Sequence, residues 1–217
     1  VMVMVTAMVM ECRVNRGEKI VKRLIDVIES IVALVVFTPT MLVIMLLIKL
    51  EDKGPLFYWQ TRIGKNGSEF KMWKFRSMVE NAHAMKSTLI TQNDFDGPMF
   101  KMKDDPRITS IGKFIRKHSL DEIPQFINIL KGDMSLVGPR PALPEEVKEY
   151  SNKDIKRLQV TPGLTGLWQV SGRSNLSYEQ MIDLDLEYVG SQGIRQDIII
   201  LFKTVWQMIY SKNAGAF

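Results

Sequence analysis

The residues best able to do chemistry crowd into one stretch, Arg116-Lys-His-Ser-Leu-Asp121-Glu122-Ile-Pro124, which runs on through a short apolar segment to Gly132, Asp133 and the turn Gly138-Pro-Arg140-Pro. Two adjacent carboxylates beside several cations suit a site that handles phosphate and a divalent metal. A carboxylate just outside the positive end of a helix can hold Mg²⁺ or attack an electrophilic phosphorus. The same residues also have a plain structural reading. Ser119-x-x-Glu122 before an apolar run is a capping box, with Glu122 bonding back to the Ser119 backbone. On pattern alone, capping is the commoner outcome. Pro124 bears on the choice: as the fifth helical residue it would break a bond to Leu120, whereas a first helical residue is where proline is comfortable. The second option puts a helix from Pro124 to Lys131, ending at Gly132, with Asp121 and Glu122 before it.

Further candidates lie elsewhere in the chain. Arg116 falls on the polar side of a helix, and Arg140 is presented by a rigid Gly-Pro-Arg-Pro turn. Arg173, between Gly172 and Ser174, has small neighbours that let backbone and guanidinium reach a phosphate together. Lys74 sits on an aromatic-rich hairpin, where Lys71 reads as a solvated edge charge, and Asp185 shares a helix with Asp183 and Glu187. Taken singly, each of these is as readily a solvated surface charge.

The elements that position these groups come from hydrophobic patterning. The chain has 217 residues, 46% hydrophobic and 24% charged, which is ordinary for a folded core. Its 29 Lys+Arg against 24 Asp+Glu give a formal charge of +5, favouring anionic partners. The basic residues are interspersed with acids, so no nucleic-acid surface is expected. Cys12 stands alone and only His83 and His118 are present, which argues against a disulfide framework and a Cys- or His-based metal site. No Walker-type loop and no Gly-x-Gly-x-x-Gly fingerprint occurs.

From Ile31 to Ile48 runs an apolar stretch of 18 uncharged residues, about 27 Å long as a helix and close to the hydrocarbon thickness of a bilayer. Basic residues flank it on both sides, Lys19, Lys22 and Arg23 before and Lys49, Lys53 and Arg62 after. Both ends therefore favour the cytoplasmic side, which a straight span cannot satisfy. A helix bent at Thr38-Pro39, dipping into one leaflet and returning, does satisfy it. The expected division is an N-terminal extension (1–18), a membrane-inserted helix (19–50) and a catalytic domain (51–217). The apolar start, Val1 to Met10, is too short to span a bilayer and lacks the order of a signal peptide.

In that domain, residues 54–62 and 68–76 form a hairpin around Asn66-Gly67. A short helix follows over 79–89, then a loop over 91–105. Ser110 caps a helix with an Ile111/Phe114/Ile115 stripe. Pro144 opens a helix reaching about Leu158, residues 161–173 read as loop, strand, loop, and Ser177 caps a helix over 178–189. The last helix, 197–210, has a broad apolar face that suits either core packing or the plane of a membrane surface. The fold class is thus α+β, mostly helical: a monotopic membrane protein with a re-entrant kinked helix, a small β-hairpin and interface-lying amphipathic helices.

Several ordered motifs together resemble a known family. They are Lys22-Arg23-x-x-Asp26 before the Pro39 segment, Lys74-Phe-Arg76-Ser-Met78, Asp105-Pro-Arg107, and Arg116-x-x-Ser-Leu-Asp-Glu122. Leu130-Lys-Gly-Asp-Met-Ser-Leu-Val-Gly-Pro-Arg-Pro141, Pro162-Gly-Leu-Thr-Gly-Leu-Trp-Gln-Val-Ser-Gly-Arg173 and Leu184-Asp185-x-x-Tyr188 complete the set. In this order they resemble the bacterial sugar transferases, the monotopic phosphoglycosyl transferases, in their exopolysaccharide and capsule branch. Thr38 stands where small members often carry Ser, so a hydroxyl is kept; the first ten residues have no counterpart in the pattern.

The resemblance implies transfer of a hexose-1-phosphate, glucose or galactose, from a UDP-sugar to polyprenyl phosphate. The place implied is the cytoplasmic face of the bacterial inner membrane. Asp121 is implied as the nucleophile that forms a covalent phosphosugar intermediate and meets Mg²⁺, with Glu122 assisting metal binding or proton transfer. Lys74, Arg116, Arg140 and Arg173 are implied to meet phosphate charge, Asp185 to support the metal or acceptor region, and Thr38 and Pro39 to make the membrane bend. The partners are a UDP-sugar, polyprenyl phosphate and the bilayer, with an oligomer possible. A membrane adaptor whose carboxylates merely cap a helix is the competing class.

Overall fold

A computed structural model of the chain describes residues 15–89, 102, 104–172 and 175–210. The apolar start, most of the 91–105 loop, and Arg173 lie outside the described residues.

Helix α1, Arg16–Asp52, is 37 residues long and helical on both sides of Pro39, about 55 Å end to end if straight. It starts where the Asn15 side chain accepts from the Gly17 N–H and stops at Lys53, which takes a left-handed conformation at φ 56°. Pro39 offers no N–H to the preceding turn; beside it the Thr38 hydroxyl donates to the Leu34 carbonyl at 2.7 Å. Both limbs of α1 are fastened to the same body. In the first limb, Lys22 pairs with Asp197 at 2.6 Å, Arg23 donates to the Leu130 carbonyl at 2.8 Å, and Asp26 accepts from the Leu136 N–H at 2.9 Å. In the second limb, Ile44 and Ile48 pack with Phe75, Ile115 and Ile123, Glu51 accepts from the Ile111 N–H, and Asp52 pairs with Arg76. The outward face between them is bare: Val35 is 69% exposed and Leu46 60%.

Strands β1 (Phe57–Ile63) and β2 (Glu69–Phe75) pair antiparallel, from Phe57 opposite Phe75 to Ile63 opposite Glu69. Asn66 and Gly67 turn between them at φ 57° and 81°, the left-handed geometry that Asn-Gly supplies at little cost. Helices α2 (Ala82–Leu89) and α3 (Ser110–Lys117) follow. Thr109, not Ser110, caps α3, its side chain accepting from the Gly112 N–H.

Helix α4 (Gln125–Lys131) ends at Gly132, φ 91°. Strand β3 (Ser135–Val137) leads to α5 (Pro144–Lys148), five residues rather than a helix reaching Leu158. A 3₁₀ turn over Asp154–Gln159 takes up the remainder. Strand β4 (Gly163–Thr165) pairs parallel with β3, an unforeseen second sheet. Two glycines allow it: a Cβ on Gly163 would lie 2.0 Å from the Gly138 nitrogen. Loop, strand, loop is also corrected after β4, where α6 (Leu167–Ser171) forms a turn and a half of helix. Helix α7 (Tyr178–Ser191) opens on the Ser177–Gln180 capping box. Helix α8 (Ile194–Tyr210) closes the described fold.

The main core gathers Met72, Ile129, Met134, Leu136, Val137, Val170, Tyr188 and Ile200 from both sheets, α4, α6, α7 and α8. Only one side of α8 enters it. Ile198, Phe202, Trp206 and Ile209 are more than half exposed, so plain core packing does not account for its broad apolar face.

Candidate active site

The site is built where α3 stops. Ser119 takes φ 55°, ψ 22°, and its N–H donates to the Arg116 carbonyl at 3.0 Å. That is the left-handed residue which ends a helix, a place usually taken by Gly or Asn. A serine there costs about 1 kcal/mol or more, strain of the kind that gathers at functional sites. Ser119 therefore closes α3 and makes no side-chain capping bond to the next helix, which overturns the capping-box reading. Leu120–Glu122 form a 3₁₀ turn, Pro124 stands as the cap of α4, and the carboxylate pair precedes that helix. This also removes the difficulty with Pro124. Its missing N–H falls between the two helical pieces, while its carbonyl accepts from the Ile127 N–H at 3.1 Å.

Freed from capping, Glu122 Oε1 accepts from Lys74 Nζ at 2.6 Å, and Asp121 Oδ2 lies 3.9 Å from the same nitrogen. One cation thus serves two carboxylates. Lys74 reaches them because Asn128, wholly buried on α4, is stapled to β2. Its Nδ2 donates to the Lys71 carbonyl at 2.7 Å and its Oδ1 accepts from the Trp73 N–H at 3.0 Å. The Asp121 side chain is 10% exposed and that of Glu122 32%.

Their acidities nevertheless separate, and the closer hold of Lys74 on Glu122 is what divides them. Burial pushes the Asp121 carboxyl up to about 6; Lys74 opposes this, Glu122 adds to it, and Arg116 opposes it. Burial works on Glu122 in the same direction, but the charge and hydrogen bond of Lys74, with Gln125 and Arg62 behind them, hold it below the usual carboxylate range. Glu122 is therefore the partner whose charge is supported, and Asp121 the one whose charge is costly.

Arg116 acts on the charge of Asp121 and also on Asp105, so Asp105-Pro-Arg107 adjoins the site. Sequence reasoning gave Arg62 no site role. Buried on β1, it donates to the Pro141 carbonyl at 2.9 Å and to Gln60 Oε1 at 2.7 Å. Burial and the nearby Arg140 guanidinium disfavour its charge, while Glu146 and Glu122 support it. The only sequence signal was its alternation with Gln60 on one face of β1. Arg140 is held by Glu146 at 2.9 Å and 3.2 Å with its side chain 24% exposed, so part of its guanidinium reaches solvent.

Asp185 is wholly buried, and its partner is Arg157 rather than the Asp121 pair. Burial works against the Arg157 charge, but the Asp185 carboxylate outweighs it, and Tyr150 adds a hydrogen bond at 2.9 Å. Arg157 also donates to the Arg140 carbonyl at 3.3 Å, so this pair braces the Gly-Pro-Arg-Pro turn from behind. The structure thus gathers Lys74, Asp121, Glu122 and Arg116, sets Arg140 beside them through Arg62, and holds Asp185 behind the Arg140 turn on Arg157 rather than with the carboxylate pair.

Among the described residues no three His, Cys, Asp or Glu side chains cluster as a metal cage. Mg²⁺ does not require one, since it is commonly held by one or two carboxylates plus substrate phosphates and water. The adjacent Asp121 and Glu122 fit that donor set.

A dry carboxylate, an ionised partner and converging cations suit transfer at phosphorus. Residues 17–211 match the family described as Bacterial sugar transferase. The galactosyl transferase CpsE of Streptococcus agalactiae is 44% identical over 196 residues, 90% of this chain and 43% of that protein. The exopolysaccharide production protein ExoY of Sinorhizobium fredii is 41% identical over 197 residues, 89% and 87% of the two chains. The undecaprenyl-phosphate galactose phosphotransferase of Salmonella typhimurium is 42% identical over 194 residues, 88% of this chain and 40% of that one. The chain spans under half the length of the first and third of these and most of the second. With almost its whole described length matched, it belongs to the bacterial sugar transferase family.

Proposed function

We propose that this chain transfers a hexose-1-phosphate from a UDP-sugar to polyprenyl phosphate through a covalent intermediate on Asp121. The observation that carries this reading is the single Lys74 ammonium shared between an ionised Glu122 and a dry Asp121. A desolvated carboxylate is a stronger nucleophile than a hydrated one, and the nearby cations receive the charge it displaces.

In the first step an Asp121 carboxylate oxygen attacks the sugar-bearing phosphorus, and the bond from that phosphorus to the bridging oxygen breaks. The electron pair leaves on UMP, while Lys74 and Arg116 offset the charge around the reacting phosphate. In the second step a phosphate oxygen of the polyprenyl acceptor attacks the same phosphorus. The bond to Asp121 breaks, the carboxylate is restored, and a polyprenyl diphosphate sugar departs. Glu122, held ionised, positions Lys74. Mg²⁺ bound by Asp121, Glu122 and substrate phosphates would neutralise the diphosphate and ease the approach of one anion to another. Galactose is the sugar named for the Salmonella relative, and glucose is the other candidate. Purified protein offered Mg²⁺, polyprenyl phosphate and a panel of UDP-sugars should release UMP with one of these. Asp121→Asn should abolish release while leaving the fold intact, and retained activity would remove the covalent mechanism.

The acceptor is a lipid, so the site belongs at the cytoplasmic face of the inner membrane. Helix α1 is long and apolar enough to cross a membrane, and only 11% of its most apolar stretch is buried in the protein. A helix crossing once would carry its second limb away from a body on the near side, whereas both limbs of α1 hold that body. This supports a re-entrant helix about Thr38-Pro39, with the exposed face of α8 lying in the interface. Single cysteines at positions 19 and 53, in a chain without Cys12, should be labelled from the same membrane side. Labelling from opposite sides would establish a span.

A further inference from the structure

A lipid phosphate must travel from the bilayer to Asp121, and the hairpin carries a path suited to such an amphiphile. Resting on the transfer proposed above, we infer that Tyr58 is an acceptor-binding residue, steering the phosphate-bearing end of the prenyl chain to Lys74.

Tyr58 lies directly opposite Lys74 in the β1–β2 register, so both side chains leave the ribbon on the same face. Gln60 and Arg62 follow on that face, and the Tyr58 phenol is near enough to act on the charge of Arg62. Yet Tyr58 is 46% exposed, although it stands beside a buried reaction centre. In chain order it follows the membrane-length helix: Leu50, near the end of α1, is 72% exposed, and after the polar connection that begins Glu51-Asp52-Lys53 the chain enters Phe57-Tyr58-Trp59, all exposed. Phe57 and Trp59 leave by the opposite face, where Phe57 stacks on Phe75 at 5.3 Å and Lys71 sits 4.1 Å over the Trp59 ring. Of the three aromatics, Tyr58 alone shares the face of Lys74.

The ribbon face of Lys74 therefore carries an exposed aromatic ring beside a cation, on a strand that the chain enters a few residues after the apolar helix α1. An aromatic ring next to a cation matches a molecule with an apolar tail and a phosphate head. Tyrosine suits the junction because its ring contacts the prenyl end while its hydroxyl stays at the wet edge.

The test uses the full chain in vesicles and reads the two half-reactions separately. With donor alone, UMP burst and labelling of Asp121 should match wild type in Tyr58→Ala. With acceptor added, kcat/KM for polyprenyl phosphate should fall about tenfold, as expected for loss of roughly 1.4 kcal/mol of contact. Tyr58→Phe should recover most of it, and vesicle co-sedimentation should be unchanged in both variants. An unchanged acceptor KM, or a loss confined to vesicle binding, would overturn the assignment and leave Tyr58 as an anchor only. A raised KM for the UDP-sugar would instead assign Tyr58 to the donor and equally overturn it. Absence of the donor-only burst in wild type would refute the covalent transfer itself, a separate failure.

Discussion

Asp121→Asn should stabilise the protein while destroying its activity. The carboxyl is pushed from 3.8 up to about 6, chiefly by burial, so ionising it at neutral pH costs the folded state about 3 kcal/mol relative to the unfolded chain. Asn keeps the shape and carries no charge. Coupling to Glu122 and Lys74 spreads this cost, so the expected gain above pH 7 is about 1–3 kcal/mol, or about 3–10 °C for a protein of this size. The sign follows from proton binding. Between the unfolded and folded values the native state binds more protons, so wild-type stability falls as pH rises from about 4 to about 6. Below 4 both states are protonated and the advantage of Asn vanishes; above 6 it is complete. The assay is thermal unfolding of both proteins without divalent metal, in one detergent, from pH 4 to pH 8. A variant less stable than wild type at pH 8, or a gain independent of pH, would refute the desolvation argument.

Other consequences are as direct. Lys74→Ala removes the cation opposing the Asp121 shift, so the acidic limb of the kcat/KM profile should move to higher pH and activity should fall, measured as pH–rate curves. Asn128→Ala leaves the Trp73 N–H and Lys71 carbonyl unsatisfied in the core and should cost about 2–4 kcal/mol, read by denaturant unfolding. Arg157→Met strands the buried Asp185 carboxylate and should cost about 3–5 kcal/mol. Adding Asp185→Leu should restore much of that stability, and a double variant no better than the single would show that Asp185 is stabilised otherwise. Gly163→Ala drives a methyl group into the Gly138 backbone and should lower the melting temperature sharply, read by the same scan.

The opening helix, the hairpin and the family were legible in residue order because each rests on local chemistry. An 18-residue uncharged run, an Asn66-Gly67 turn and ordered motifs signal through near neighbours. The Ser177 cap was legible for the same reason, since its bonds close within three residues. Ser119-x-x-Glu122 presented the same local signal and misled, because Lys74, 48 residues away, offers Glu122 a charged partner in a dry site. A backbone N–H cannot compete with that. Strand β3 and its pairing with β4 were missed because a three-residue strand carries almost no period, and the pairing depends on two glycines meeting across 25 positions. The helix expected to run to Leu158 fails because Arg157 is drawn inward to Asp185, Tyr150 and the Arg140 carbonyl. Composition and order thus determined which carboxylates and cations are available, and the family they belong to. The tertiary structure alone decided that one lysine divides two adjacent acids into one whose charge is supported and one whose charge is costly. Acidity there depends on burial and on a partner from a distant strand, neither of which sequence spacing records.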